Sequence, residues 1–264
     1  MKISTEIGSL SSIVGEEKAI EYVARAGFDG WDFSMFAMCA YDSDHRAYRA
    51  GAHPLSGQEY RRFARRLKQI GLDHGIVCNQ SHAPHPVRFP DAIPWLMRAI
   101  ECTAEAGGSI CVIHPDAGKS VQENAEMYGR LIPFAEQCGV TIATENMWSW
   151  DEEKDEATVA SCTTAESFCA HVDAVNSDHM AVDLGHAQMR GCHTSAVKLI
   201  HALGDRVQAL HIHDNDQWHD SHQIPFSMDI DFDPIVKALV DIGYSGWFTL
   251  EAYHHLDVCA PDAV

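Results

Sequence analysis

A helical stretch that closes on a glycine, followed at once by a β-rich run, recurs along this chain, and that repeat limits the folds open to it. EYVARAG is followed by FDGWDFSMF, FARRLKQIG by LDHGIVCN, and ECTAEAG by GSICVIHP. The same succession returns as IPFAEQCG and VTIATEN, VKLIHALG and DRVQALHIHD, and IVKALVDIG and YSGWFTLEAY. Gly27, Gly71, Gly107, Gly139, Gly204 and Gly243 stand where helices are expected to close with a left-handed cap. The runs after them are rich in Val, Ile, Phe and Trp, and several are nearly continuous rather than alternating, as strands buried on both faces should be. KISTEIG at the start and HMAVDLG near residue 180, the latter after the helix-like ESFCAHVDAV, bring the count to eight strands alternating with helices.

Eight βα units in 264 residues predict an α/β fold: a single (β/α)8 TIM barrel over residues 1–264, with its active site at the C-terminal ends of the strands. A doubly wound sheet would use fewer strands and usually a glycine-rich phosphate turn. No GxGxxG follows an early strand, and no GxxxxGK[ST] occurs. The chain has no apolar run long enough to span a bilayer, and MKISTEIGSL reads as a first strand rather than a secretory signal. Nine cysteines without a CxxC pair then point to a reducing, cytoplasmic setting. With 19 basic against 38 acidic residues the formal charge is −19, which argues against nucleic acid or an anionic membrane as partner and leaves small molecules open.

The strand ends carry the chemistry. Strand three runs through Asn79 to His82, strand four leads to His114, and strand five ends at Glu145. Strand six ends at Asp183 with His186 three residues on, strand seven at His211, and strand eight at Glu251. An ionisable group at the rim of an apolar interior must be paired, neutralised or bound to a cation. One such residue is ordinary; six successive strand ends doing the same point to one metal site. LHIHDNDQWHDSHQIPF, with four histidines and three aspartates, follows strand seven directly and is its contribution.

TENMW, VDLGHA, LHIHDND, DSHQIPF and FTLEAY, in this order, resemble the xylose-isomerase-like TIM-barrel superfamily, which includes sugar isomerases and epimerases and the endonuclease IV-type enzymes. The resemblance covers essentially the whole chain. It implies a core metal site of Glu145, Asp183, His211 and Glu251, with Glu145 and Glu251 also the catalytic acid/base pair. It also implies substrate contact by His186, and additional metal ligands at His82, His114, His186, Asp220 and His222 if the site is multinuclear. His213, Asp214, Asp216 and His219 have the weaker claim and are expected behind the ligands or in solvent.

The leading expectation is a divalent-metal-dependent isomerase or epimerase of a sugar or sugar derivative, moving a proton through a metal-stabilised enediolate. An oxygen-rich site with one imidazole suits Mn2+, Co2+ or Mg2+, and a multinuclear one Zn2+. The alternatives are a multi-zinc phosphoesterase of endonuclease IV type acting on a small substrate, a metal-dependent dehydratase, and a metal-binding or sugar-sensing protein without activity. The resemblance leaves room for a homo-oligomer. Where ketose epimerases carry an arginine after the seventh-strand histidine, this chain reads Asp214, Asn215, Asp216 and Gln217, a departure that weighs against ketose 3-epimerisation in particular. Arg88, Lys119 and Arg190 lie in loops that could supply a cation instead. Trp148 is the expected apolar wall for the substrate, with Trp150, Phe33, Phe36 and Tyr253 near other strand ends. WSWDEEKDEATVASC is long enough to be a lid.

Overall fold

The structure is a computed structural model that describes residues 1–175 and 180–254. Its centre is an eight-stranded parallel sheet of β1 (Lys2–Glu6), β2 (Gly30–Ser34), β3 (Val77–His82), β4 (Ile110–Val112), β5 (Thr141–Glu145), β6 (Met180–Asp183), β7 (Val207–His211) and β8 (Trp247–Leu250). The strands run in the order β7-β6-β5-β4-β3-β2-β1-β8. The two end strands meet just past β7, where Ile212 N–H donates to Thr249 O at 2.9 Å and Glu251 N–H to Ile212 O at 2.9 Å, so the sheet curls back on itself. The run expected to open the sixth strand begins at His179, which lies outside the described residues, as do the last ten of the expected domain.

Helices α1 (Gly8–Val14), α2 (Glu16–Arg25), α3 (Tyr60–Asp73), α4 (Ile93–Ala106), α5 (Val121–Gln137), α6 (Ala165–Val175), α7 (Ala196–Leu203) and α8 (Asp233–Asp241) occupy the connections. They are held by their apolar stripes: α2 buries Ala19, Ile20 and Val23, and α3 buries Ala64, Leu67 and Gly71 at helical spacing. Each fully buried Leu or Ile in such a stripe contributes about 1.5–3 kcal/mol. A capping box starts α5, with Ser120 Oγ accepting from Glu123 N–H and the Glu123 carboxylate accepting from Ser120 N–H.

Gly27, Gly107, Gly139, Gly204 and Gly243 have positive φ. Gly71 does not, which corrects its expected role: it lies inside α3, two residues before that helix ends, and the left-handed residue is Gly75 at φ +79°. What Gly71 supplies is closeness. A Cβ there would stand 3.0 Å from Ile76 O and 3.1 Å from Trp31 Nε1, so only glycine lets α3 lie this near the sheet.

Two segments depart from the simple alternation. The stretch after β5, long enough in sequence to be a lid, folds as an antiparallel hairpin, Ser149–Asp151 against Glu156–Thr158. The hairpin packs on the turn after β6, where a Cβ on Gly191 would come within 1.6 Å of Ala157 O. A second hairpin pairs Cys39–Asp42 with Ala47–Ala50 after β2.

Candidate metal centre

Parallel strands of a curled sheet deliver their C-terminal residues to one rim even where the register staggers them. Ser34 pairs with His82, Ala181 with Glu145, and Asp183 with His211. Glu145, Asp183, His211 and Glu251 thereby converge, with one ligand atom from each lying within 4.8 Å of the others. Glu145, Asp183 and His211 are fully buried and Glu251 is 4% exposed. Three carboxylates with one imidazole in so dry a place repel one another unless a cation joins them.

His211 is the hinge of this quartet. Its Nδ1 stands 3.0 Å from Glu145 Oε1 and 3.6 Å from Glu251 Oε2, while its Nε2 faces Asp32 Oδ2 at 3.4 Å. Asp32, on β2, is itself held by a hydrogen bond from Gln80 Nε2 at 3.0 Å. His82 spans the same two glutamates, with Nε2 3.5 Å from Glu145 Oε2 and Nδ1 3.3 Å from Glu251 Oε1, and stacks on His211 at 4.8 Å. Burial alone would raise the Glu145 carboxyl, but His211 and the hydrogen bond to His114 outweigh it and hold it well below the usual carboxylate range. Burial pushes the Glu251 carboxyl up to about 8, with the charges of Glu145 and Asp183 adding to it against the pull of His211 and His222. The two glutamates are thus driven apart in proton affinity. A bound divalent cation would become the largest charge present and reset both.

The other expected ligands fall into two adjoining groups. His114 Nε2 lies 3.1 Å from Glu145 Oε2 and 2.6 Å from His82 Nε2, so His82, His114 and Glu145 share one point. On the far side, Asp220 Oδ2 lies 3.2 Å from His186 Nε2 and 3.1 Å from His222 Nε2. The loop that carries Asp220 and His222 is organised by Asp214, whose buried carboxylate accepts hydrogen bonds from the backbone N–H groups of Asn215, Met228 and Ile230. His213 is fully buried against this group, whereas Asp216 and His219 pair with each other at 2.7 Å at the surface.

Several buried polar atoms here have no hydrogen-bond partner among the described residues: Asp183 Oδ2, His213 Nε2 and Asp220 Oδ1. Orphaned acceptors in a dry pocket are costly. Their convergence fits a donor set awaiting divalent cations.

Sequence reasoning passed over Asp32 and undervalued His213. Asp32 interrupts the apolar run of β2, which was the available signal. His213 follows His211 by two, and strand pairing continues through Ile212, so both rings point inward. His85 was also overlooked; its ring stacks on His114 at 5.0 Å, and burial followed by the nearby His114 lowers its pKa to about 4.

The cleft over these groups has a volume of about 240 Å³ and is walled by Phe36, Met147, Trp148 and Tyr253. Tyr253 stacks on His222 at 4.1 Å, Phe36 meets His82 edge-on at 4.8 Å, and Trp148 lies 6.4 Å from His186. Phe33, by contrast, is fully buried against Trp31 and belongs to the core. Among the described residues no lysine or arginine lines the cleft. Lys119 is turned to Arg88 O and Asp116, Arg190 lies over the Trp218 ring, and none of the three loop cations lines the cleft.

Residues 20–263 match the xylose isomerase-like TIM barrel family. The chain belongs to this family. An uncharacterized protein of Methanocaldococcus jannaschii is 25% identical over 164 residues, 58% of this chain and 54% of its own, so the chain spans about half the length of that relative. A D-tagatose 3-epimerase-like protein superposes with a TM-score of 0.71 at 19% identity, covering 96% of this chain and 91% of its own. The 3-keto-D-glucoside 4-epimerase of E. coli gives a TM-score of 0.70 at 16% identity, with coverage of 95% and 91%. An L-ribulose 3-epimerase gives 0.69 at 18% identity, with coverage of 96% and 82%. Identities this low speak for the shared xylose isomerase-like fold.

Proposed function

We propose that this xylose isomerase-like protein is a divalent-metal-dependent epimerase or isomerase of an unphosphorylated sugar or sugar derivative, built on a complete (β/α)8 barrel. The observation that carries the reading is the dry convergence of Glu145, Asp183, His211 and Glu251 beneath a cleft with aromatic walls. A Mn2+, Co2+ or Mg2+ ion held by these four would supply Lewis acidity toward a carbonyl and its neighbouring hydroxyl. Glu145 and Glu251 approach the substrate from strands on different sides of the sheet's curl. One removes the proton beside the carbonyl, and the other returns a proton to the resulting enediolate. His186 and Trp148 hold the substrate, its polar edge toward the imidazole and its C–H face toward the indole.

Among the described residues the lining carries no lysine or arginine, which supports a substrate without a phosphate for such a side chain to pair. A further cavity of about 460 Å³, sharing Phe36, His85 and Tyr253 with the cleft and bearing Ser9, Ser12 and Ser34, gives room and hydroxyl partners for the far end of a polyol. The epimerase-type structural neighbours are consistent with this class.

One observation favours a second reading. His82 and His114 with Glu145, and His186 and Asp220 with His222, form two more ligand groups beside the first, as a multi-zinc phosphoesterase acting on a small substrate would need. Solvent-deuterium uptake separates the two. The manganese-loaded protein should exchange a C–H proton of an unphosphorylated ketose or keto-glycoside with D2O, and Glu251→Gln should abolish the exchange. Hydrolysis of a phosphate ester without any such exchange would reverse the choice.

A further inference from the structure

Glu6 closes β1 as Glu145 and Asp183 close their strands, yet it belongs to none of the ligand groups at the rim. It pairs in register with Asp32 and stands half-buried in the wall of the cavity of about 460 Å³. One residue holds both of its oxygens: Ser9 Oγ donates to Oε1, and Ser9 N–H donates to Oε2 at 3.1 Å. A carboxylate has about four lone-pair sites, so each oxygen keeps one for a donor arriving from the cavity. Among the described residues no lysine or arginine lines that cavity. Burial raises the Glu6 carboxyl, and the charge of Asp32 adds to it, against the pull of the Ser9 hydrogen bonds. Donors on a bound molecule would supply the solvation this carboxylate lacks.

The cavity continues the cleft. Phe36, His85 and Tyr253 wall both, which makes the two spaces neighbours. At about 240 Å³ the cleft alone lies below the roughly 300–1,000 Å³ of ordinary small-molecule sites, and the adjoining cavity brings the whole into that range. Ser34 pairs in register with His82, so it ends β2 at the level of the ligand histidines. Gly8 keeps this corner open: a Cβ there would stand 2.5 Å from Ser34 Oγ and 3.2 Å from Glu6 Oε2. At the neck between the spaces the exposed His85 ring meets Phe36 edge-on at 4.7 Å. A carboxylate, hydroxyls and an imidazole beside flat apolar rings are the partners of a sugar ring, whose hydroxyls donate and whose C–H face packs on an aromatic side chain.

We propose that this cavity is a second sugar subsite with Glu6 as its specificity-determining residue, so that the substrate is a keto sugar carrying another sugar ring at its far end. The inference rests on the epimerase or isomerase reading above and names its substrate class. The ketone and its neighbouring hydroxyl lie over the quartet, and the substrate runs past Phe36 and Tyr253. Two adjacent hydroxyls of the second ring then donate to the Glu6 carboxylate, with Ser34 Oγ beside them. Glu6 touches no reacting atom; its part is selection. A phosphate at that end would face a carboxylate, and an apolar group would leave Glu6 without donors, so both are disfavoured.

The probes are D-fructose and isomaltulose, the same ketose bearing a glucosyl ring on its far hydroxyl, each offered in D2O to the full-length manganese-loaded protein. Exchange of the proton beside the carbonyl gives kcat/KM, and saturation-transfer NMR reads contact with the glucosyl protons. In the wild type, kcat/KM for the two-ring sugar should exceed that for fructose by about 10–100-fold, the worth of hydrogen bonds to a charged carboxylate. The glucosyl protons should also take up saturation. Glu6→Gln, which keeps the volume and exchanges one acceptor oxygen for a donor amide, should collapse that ratio and remove most of the glucosyl signal. A ratio taken on one protein cancels any general loss of activity, so a merely structural role would not move it. Equal kcat/KM for the two sugars in the wild type, or a ratio that persists in folded Glu6→Gln protein, would overturn the subsite while the exchange itself upholds the enzymatic reading. Glucosyl saturation that depends on Glu6, with exchange of neither sugar, would overturn the enzymatic reading and leave the subsite standing. Neither exchange nor saturation would overturn both.

Discussion

Replacing Asp32 by asparagine should weaken the quartet's hold on a divalent cation while leaving the fold intact. Asp32 is 1% exposed and touches His211 from behind, Oδ2 to Nε2 at 3.4 Å, while His211 Nδ1 faces Glu145. A carboxylate behind a ligating imidazole fixes its tautomer and strengthens the nitrogen facing the metal. Two full charges at 3.4 Å interact by about 5 kcal/mol at an effective dielectric of about 20. That is a ceiling, because a ligating imidazole bears only part of a charge. Outer-sphere substitutions elsewhere cost about 10–100-fold in affinity, or about 1.4–2.8 kcal/mol, and Asp32→Asn should fall in that window. Asparagine keeps the volume and an oxygen, so packing around Gln80 is preserved. The assay is competition for Mn2+ with a chromophoric chelator at fixed pH, alongside far-ultraviolet circular dichroism. An affinity within twofold of the wild type, in folded protein, would refute the role given to Asp32.

Metal should also stabilise the whole chain: at a free concentration of about 1,000 times Kd the gain is about 4 kcal/mol, and Mn2+ added to stripped protein should raise Tm by roughly 8–16 °C in a thermal melt. No shift would mean that the buried carboxylates are satisfied without a cation. Two glycine substitutions should move stability in opposite directions. Gly129→Ala, exposed within α5 with nothing within 4 Å of its added Cβ, should stabilise by about 0.5–1 kcal/mol in urea unfolding. Gly71→Ala should destabilise by about 1–2 kcal/mol, because Ile76 O and Trp31 block the methyl group. Tyr128→Phe should cost about 1–3 kcal/mol in the same assay, since the buried hydroxyl donates to Ile113 O at 2.7 Å and pairs with Thr144 Oγ1 at 2.6 Å. A neutral result there would mean that water replaces the hydroxyl.

The repeat of helix, glycine and strand was enough to read eight strands and the level at which they end, because local periodicity and capping are properties of short segments. It also brought forward Glu145, Asp183, His211 and Glu251, since an ionisable residue closing an apolar strand is visible in one dimension. Gly71 and Gly75 mark the limit of that reasoning: both follow a helical pattern, and only the packing of α3 on Trp31 shows which supplies closeness and which supplies the turn. The same holds for the histidines of LHIHDNDQWHDSH. Composition alone made His213 and His219 equals. The pairing of Ile212 with Leu250 extends the strand and turns His213 inward, while Asp214 folds the loop so that His219 meets solvent and His222 returns to the site. Which side chains come together at the rim depends on contacts between residues far apart in the chain, such as Asp32 with His211 and Asp183 with His213, and those distances exist only once the sheet has curled.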